Sequence, residues 1–166
     1  MDLLDRLLRH DYRTSRVLLE LAVPLADEQL DQPFEFGLGT LRKTLDHLVQ
    51  NVEGWTAVLE GAKESPPRDP SRSPSDMLAS LDAWYPRFAG ISRRVRDGGR
   101  WDEMWQDDLS YPARSRPVGG VIAHLITHSM HHRAQVLGML RNLGVEDVPE
   151  GDALEAEAWD PAPDPT

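Results

Sequence analysis

Apolar residues recur at intervals of three and four positions in four long segments of the chain, the spacing that gathers side chains on one face of an α-helix. These segments predict helices over residues 2–23, 40–61, 76–96 and 118–142. Polar residues fill the remaining positions, so each helix has one face to bury and one face for solvent. No strand pattern exceeds four or five residues.

Residues that favour helix ends bound these segments. Pro24 closes the first helix, and Thr40 suits the N-cap of the second. Ser73 or Ser75 suits the N-cap of the third helix, in which Pro86 should introduce a kink.

Three connections separate the helices. Residues 25–39 and 62–75 are rich in turn formers and predict irregular loops, and residues 101–117 predict a loop that includes a short hairpin. Pro117 suits the first turn of the fourth helix, and Gly144 suits its C′ position.

Four helices of this length predict an all-α four-helix bundle with long loops. The 166 residues fit one domain with its own core, and 40% hydrophobic with 28% charged residues is typical of a globular chain. We assign residues 1–145 to the bundle and residues 146–166 to an acidic, proline-containing C-terminal tail, in which residues 152–159 predict a short fifth helix.

The net charge of −10 is concentrated in this tail, which holds eight acidic residues and no Lys or Arg and leaves only −2 on the bundle. Without a basic stripe, nucleic acid and anionic membranes are disfavoured as partners. Asp2 and Asp5 interrupt the leucines of the N-terminal segment, unlike a secretory signal, and no apolar run approaches the roughly 18 residues of a membrane span. We therefore expect a cytoplasmic protein.

The most informative residues are the histidines, four of which lie within nine positions of the fourth helix: His124, His128, His131 and His132. The helical period places His128 and His132 within the apolar stripe, and His124 and His131 at its edge. Imidazoles at positions i and i+4 have Cβ atoms about 5–6 Å apart and can converge on one ion. The pair fits either metal ligation or a hydrogen-bonded position in the core.

Two pairs have this spacing, His124/His128 and His128/His132. We choose the second pair, because His132 lies nearer the centre of the stripe. His47 lies on the shoulder of the buried arc of the second helix, which suits a third ligand or a surface position equally. His10 falls outside the leucine stripe of the first helix, so we interpret it as a solvated surface residue.

Three histidines without a fourth protein ligand would leave coordination positions for water or substrate, which is typical of catalytic rather than structural sites. Imidazoles suit zinc, nickel, copper or iron. Such an ion can lower the pKa of a bound water or hold a thiol as thiolate. The chain has no cysteine, so a small molecule would have to supply any thiol.

Two stretches carry a resemblance to a known family. HLITHSMHHRAQVLGMLRNLG, residues 124–144, resembles the last bundle helix of the DinB-like (DinB/YfiT-type) metalloenzymes, and LRKTLDHLVQNVEGW, residues 41–55, resembles their other ligand-bearing helix. The spacing of the two blocks is also similar, so the likeness covers most of residues 1–145. Ala134 stands where the family usually has Gly.

The resemblance implies a divalent ion on His47, His128 and His132, with zinc or nickel as the first candidates and iron or manganese next. Family members of known activity resemble thiol-dependent transferases and isomerases that use bacillithiol or mycothiol, and many are dimers. We therefore expect a metal-dependent thiol S-transferase or hydrolase that acts on a small-molecule substrate as a homodimer. The alternatives are a non-catalytic metal-binding stress-response protein and a metal-free structural dimer module.

Five polar residues near the histidines are open to a second interpretation. We interpret Gln135 and Asn51 as ordinary polar residues rather than groups that orient a ligand imidazole. Asp46 and Glu53 fit a solvated helix face, and Arg133 fits a surface or a dimer face.

The aromatic residues Trp101, Trp105 and Tyr111 precede the fourth helix, and we expect them to anchor the loop rather than to roof a metal pocket. The Gly119-Gly120 pair predicts close helix packing or an adjustable first turn.

Overall fold

The structure is a computed structural model that describes residues 1–64, 66–67, 69–107 and 114–154. These residues form five α-helices and two β-strands: α1 (Leu3–Ala22), α2 (Asp27–Leu30), α3 (Leu41–Leu59), α4 (Pro74–Asp97), β1 (Met104–Asp107), β2 (Arg114–Pro117) and α5 (Val118–Asn142).

The four long helices α1, α3, α4 and α5 form the bundle. Helices α1 and α3 each pack against both α4 and α5, so α1 and α3 lie diagonally opposite one another. Apolar side chains from all four helices fill the space between them, among them Leu18, Leu45, Phe88 and Val136. The predicted all-α four-helix bundle is confirmed.

The helix ends follow the local sequence. Thr40 caps α3, where its Oγ1 accepts the Lys43 N–H at 3.2 Å. Ser73 caps α4 in a reciprocal capping box with Asp76, so this helix begins at Pro74, two residues earlier than expected, and continues through Pro86.

Two connections contain more regular structure than a loop. The short helix α2 lies within residues 25–39, for which we expected irregular structure. Strands β1 and β2 pair antiparallel and confirm the short hairpin, and Pro117 ends β2 as the N-cap of α5 rather than lying in its first turn. A Cβ at Gly119 would lie 2.8 Å from the Trp101 carbonyl oxygen, which confirms close packing at the start of α5.

A buried ion pair joins α1 to α5, and it corrects the interpretation of Arg133 as a surface or dimer-face residue. Arg133 Nη1 donates to both the carboxylate and, at 2.9 Å, the carbonyl oxygen of Asp11. Both side chains are 2% exposed. The Tyr85 hydroxyl of α4 donates to the other carboxylate oxygen at 2.8 Å. Three helices therefore share this polar contact, which the apolar periodicity alone does not reveal.

His10 lies one residue before this pair, and its expected position on the surface is wrong. Its side chain is buried, and its Nδ1 lies 3.2 Å from Thr14 Oγ1. Most of the buried residues in the middle of α1 are polar, and a search for leucine stripes does not find them.

A second set of ion pairs corrects the assignment of Asp46 and Glu53 to a solvated face. Both are buried on α3, where Arg72 from the loop before α4 donates to Asp46 at 2.7 Å and to Glu53 at 2.6 Å. Arg42 of α3 also donates to the Arg72 carbonyl oxygen at 3.3 Å. The loop is thus held against the helix that carries His47.

The first residues of the C-terminal segment pack on the bundle. Val148 contacts the core, and Arg141 donates to the Pro149 carbonyl oxygen at 2.8 Å. Residues 155–166, with most of the predicted fifth helix, lie outside the described residues. None of the helices among the described residues is both long and apolar enough to cross a membrane.

The buried ion pair gives a stability prediction. Replacing Asp11 with Ala would leave the Arg133 guanidinium charged and unpaired in the core, which should lower the free energy of unfolding by about 3–5 kcal/mol. Urea unfolding measures this change. The matched control is Glu103→Ala at the exposed Arg100–Glu103 pair, which should change the same quantity by less than about 1 kcal/mol. Equal effects of the two substitutions would contradict the prediction.

Candidate metal centre

Three histidines meet between α3 and α5. His47 comes from α3, and His128 and His132 come from successive turns of α5. One ring nitrogen from each lies within 4.8 Å of the others. Within the part of the chain that the structure describes, these three are the one group of at least three His, Asp or Glu side chains that comes this close.

Helix packing explains why these rings converge. On α3, the apolar face that includes Leu45, Leu48 and Val49 is buried in the bundle, which turns His47 towards α5. On α5, His128 and His132 are one turn apart, and their ring centroids lie 4.5 Å from each other. Packing of α3 against α5 therefore brings His47 together with His128 and His132, the pair chosen from the helical period.

The spacing of the ring nitrogens suits one divalent ion. The Nε2 atoms of His47 and His128 lie 3.1 Å apart. Two nitrogens bound at 2.0–2.1 Å to one tetrahedral ion would be about 3.3 Å apart. The distance between the two atoms and the imidazole donor set therefore both fit a divalent metal ion, although they do not select one metal.

Gln135 orients His132, which corrects its interpretation as an ordinary polar residue. Its Oε1 lies 2.8 Å from His132 Nδ1. Because a carbonyl oxygen only accepts hydrogen bonds, Nδ1 carries the proton and Nε2 keeps its lone pair for an ion. The Gln135 amide nitrogen in turn lies 3.0 Å from His131 Nε2. The sequence signal that could have predicted this contact is the spacing of His132 and Gln135 at positions i and i+3 of one helix.

The loop before α3 closes this side of the site. Gly37 has φ +66°, and a Cβ there would lie 2.7 Å from Met139 Cε and 3.3 Å from Gln135 Oε1. A side chain at this position would therefore be strained in its backbone, and the terminal methyl group of Met139 would have to move aside. Glycine lets the loop approach Gln135.

Burial lowers the pKa of two of the three histidines, His128 and His132. Desolvation, followed by the neighbouring imidazoles, lowers the pKa of His128 to about 4. Desolvation also lowers the pKa of His132, against the opposing hydrogen bond from Gln135. Neutral imidazole is the form that binds metals, so these two rings are already in that form near neutral pH.

The chain matches the DinB family over residues 1–162. It belongs to the DinB family. Comparisons with curated proteins and with solved structures gave no match. Both the bundle and the three-histidine group are compatible with a metal-binding protein of this family.

Next to the three histidines, the DinB bundle has a cavity of about 380 Å³ lined by Trp55, Ser115, Arg116, Pro117, Gly120, Val121 and His124. The exposed His124 ring stacks on His128, with ring centroids 5.0 Å apart and 25° between the planes. His124 therefore contacts both the cavity and the His128 ring. Its position at the edge of the histidine cluster agrees with the helical period.

The remaining residues near the site have structural contacts. Asn51 donates to the His47 backbone carbonyl oxygen at 2.9 Å, as expected of an ordinary polar residue on the helix. Trp101 and Trp105 pack against the core and confirm the anchoring role. Tyr111 lies outside the described residues.

Buried histidines predict how stability depends on pH. Desolvation, followed by the charge of Arg133, lowers the pKa of His10 to about 4 from 6.5. Between these values the unfolded chain binds more protons than the folded protein, so the free energy of unfolding falls as the pH falls from 6.5 to 4.

In metal-free protein, His10→Gln should remove about 2 kcal/mol of this pH dependence, because Gln does not titrate. Urea unfolding at several pH values, compared between the variant and the original chain, measures it. Parallel curves for the two proteins between pH 6.5 and 4 would show that His10 does not contribute.

Proposed function

We propose that His47, His128 and His132 bind one divalent ion and that this DinB protein is a metal-dependent enzyme. Its reaction is the activation of a small-molecule thiol, or of water, for transfer to or hydrolysis of an electrophilic substrate. The observation that carries the proposal is the convergence of three ring nitrogens from two helices, within 4.8 Å of one another.

The number of ligands favours catalysis over a structural role. A structural zinc site uses four protein ligands, whereas a catalytic site keeps a position for water or substrate. No fourth His, Asp or Glu joins the group among the described residues, and the chain has no cysteine. His47 and His128 are also only partly buried, so the site has access to small molecules.

Each residue of the site has a distinct role in this proposal. The three histidines supply neutral nitrogen ligands, and Gln135 holds His132 in the tautomer that leaves Nε2 free for the ion. The Gly37 loop covers Gln135, and the cavity adjoins the site at His124, whose ring stacks on His128. A bound divalent ion would lower the pKa of a coordinated thiol or water, so that the anion could form near neutral pH.

Zinc or nickel is the first candidate for the ion, with iron or manganese next. A low-molecular-weight thiol is the proposed co-substrate, because the chain cannot provide a thiol of its own. The homodimer, the cytoplasmic location and the absence of nucleic-acid and membrane partners stay predictions.

Metal content tests the ligand set directly. Protein purified without a histidine tag should contain about one divalent ion per chain by elemental analysis, and His128→Ala should lose it, because two imidazoles hold an ion far less tightly than three. His124→Ala is the matched control, since it removes an imidazole one turn away that lies outside the group. If zinc, nickel, iron and manganese all fail to bind, the three histidines are not a metal site.

Thiol conjugation tests the reaction. Monobromobimane is the electrophile, with bacillithiol, mycothiol and cysteine as thiols, and product is followed by fluorescence. The metal-loaded protein should accelerate conjugation at least about tenfold over His128→Ala, because an ion stabilises the thiolate. A chelator should abolish the acceleration and added ion should restore it.

Hydrolysis of activated esters under the same conditions tests water as the alternative nucleophile. A protein that binds its ion but accelerates neither reaction would instead support a non-catalytic metal-binding protein. A chain that binds no ion in any preparation would support a structural module.

A further inference from the structure

We infer that the cavity lined by Trp55, here called the Trp55 cavity, binds the flat, apolar body of the electrophilic substrate. The substrate class of the protein would then be aromatic electrophiles. The role of the ligand as substrate rests on the proposed function, whereas the binding of a flat apolar molecule in the cavity does not. The volume of about 380 Å³ is within the usual range for small-molecule sites.

Trp55 forms an aromatic wall of this cavity. The side chain is half-buried on α3, and its ring meets the rings of Trp105 and His124 edge to face, with centroids 6.1 Å apart in both pairs and interplanar angles of 65° and 70°. These contacts favour one orientation of the indole ring. A ring that is already oriented loses little further freedom when a flat molecule packs against it, which favours an aromatic ligand.

Gly120 keeps space open opposite the lining of β2. A Cβ at Gly120 would lie 3.2 Å from Pro117 Cγ. Apart from its two chain neighbours and the backbone of α5, Pro117 is the one described residue within 4 Å of that position. Both residues line the cavity. A larger side chain at position 120 would therefore extend into space that is available to a ligand.

Most of the described lining favours an apolar ligand. Arg116 belongs to the same lining but already has an interaction partner within the protein, so we assign its charge no part in binding. Apolar surface without a required charge partner binds uncharged molecules through shape and desolvation. Four of the seven lining residues provide this surface: Trp55, Pro117, Gly120 and Val121.

A second cavity at the metal centre has a different lining and suits the other reactant. It has a volume of about 230 Å³ and is lined by Leu38, Lys43, Asp46, His47, Gln50 and Pro70. Charged and amide side chains make up half of this lining. The proposed thiols carry several polar groups, as the amino and carboxylate groups of cysteine do, so they fit this lining better than the wall of Trp55. The Trp55 cavity is then left for the electrophile.

The position of the Trp55 cavity brings its ligand close to the proposed ion. His124 lines the cavity, and its ring stacks on His128 with the centroids 5.0 Å apart. The second cavity reaches the same group of histidines at His47. Each reactant would therefore have its own approach to the metal centre, one beside His124 and one beside His47.

Binding of nitrobenzene and of its saturated counterpart nitrocyclohexane tests the Trp55 cavity. Isothermal titration calorimetry uses the full chain, both loaded with zinc and treated with chelator. Nitrobenzene should bind at one site per chain in both states, and about fivefold more tightly than nitrocyclohexane, because only the flat ring can stack on Trp55.

Substitution of Trp55 tests the aromatic wall. Trp55→Ala should weaken nitrobenzene binding about tenfold, and Trp55→Phe should restore most of the loss because it keeps an aromatic face. The matched control is Trp84→Ala, which removes another half-buried tryptophan, on α4 and outside the lining, and should leave binding unchanged.

Filling the cavity tests the same site without removing a core contact. Gly120→Leu should weaken nitrobenzene binding at least about tenfold, because the added side chain occupies the space of the ligand. Ala123→Leu adds a leucine at an exposed position on the same helix, outside the lining, and should have no effect. This pair of variants decides the question even if Trp55→Ala does not fold.

Turnover tests the role of the ligand as substrate, with 1-chloro-2,4-dinitrobenzene as the aromatic electrophile. The thiolate sulfur forms a bond to the ring carbon that carries chlorine, chloride leaves, and the thiol proton passes to solvent. Trp55→Ala should lower kcat/KM for this electrophile about tenfold and leave both the KM for the thiol and the metal content unchanged. Iodoacetamide has no aromatic body, so its kcat/KM should not change.

Several outcomes would overturn the inference: no saturable binding of nitrobenzene, equal effects of Trp55→Ala and Trp84→Ala, full binding in Gly120→Leu, or competition between nitrobenzene and cysteine, which would place both in one cavity. Metal content measured in the same proteins keeps the two proposals apart. Absence of nitrobenzene binding with the ion retained rejects the Trp55 cavity alone. Binding of nitrobenzene to a chain that takes up no ion rejects the metal enzyme and leaves an aromatic binding site.

Discussion

The alignment of α3 against α5 is the constraint on which the candidate site depends. The Nε2 atoms of His47 and His128 are 3.1 Å apart, although 81 positions separate them in the chain. A rotation of either helix by one residue, about 100°, would turn one imidazole away from the other. The apolar faces of both helices must therefore be buried in a single register, so the core fixes the geometry of the site.

Polar contacts reinforce this register. The Asp11–Arg133 pair holds α5 against α1 one residue beyond His132, and Arg72 holds the loop before α4 onto α3 at Asp46, the residue before His47. Both contacts lie directly beside the candidate ligand positions in sequence. Separating either pair would leave a largely buried charge without its partner, which costs free energy.

The four long helices and the cap of α3 could be predicted because the signals are local. The period of apolar residues gives four helices, and the cap of α3 at Thr40 follows from interactions within one turn. The buried polar middle of α1 could not be predicted in the same way. His10 and Asp11 are buried because Arg133 and Tyr85 approach from other helices, and a pattern within α1 contains no information about those partners.

The sequence by itself determined the histidine pair of α5, since the spacing of His128 and His132 is a property of one helix. It left His47 open, because the direction of a shoulder residue depends on the neighbouring helix. Tertiary structure alone decided that His47 meets the pair, that the Gly37 loop covers Gln135, and that a cavity adjoins the site. Each of these features joins residues that are distant in sequence, and their positions are set by packing of the whole core.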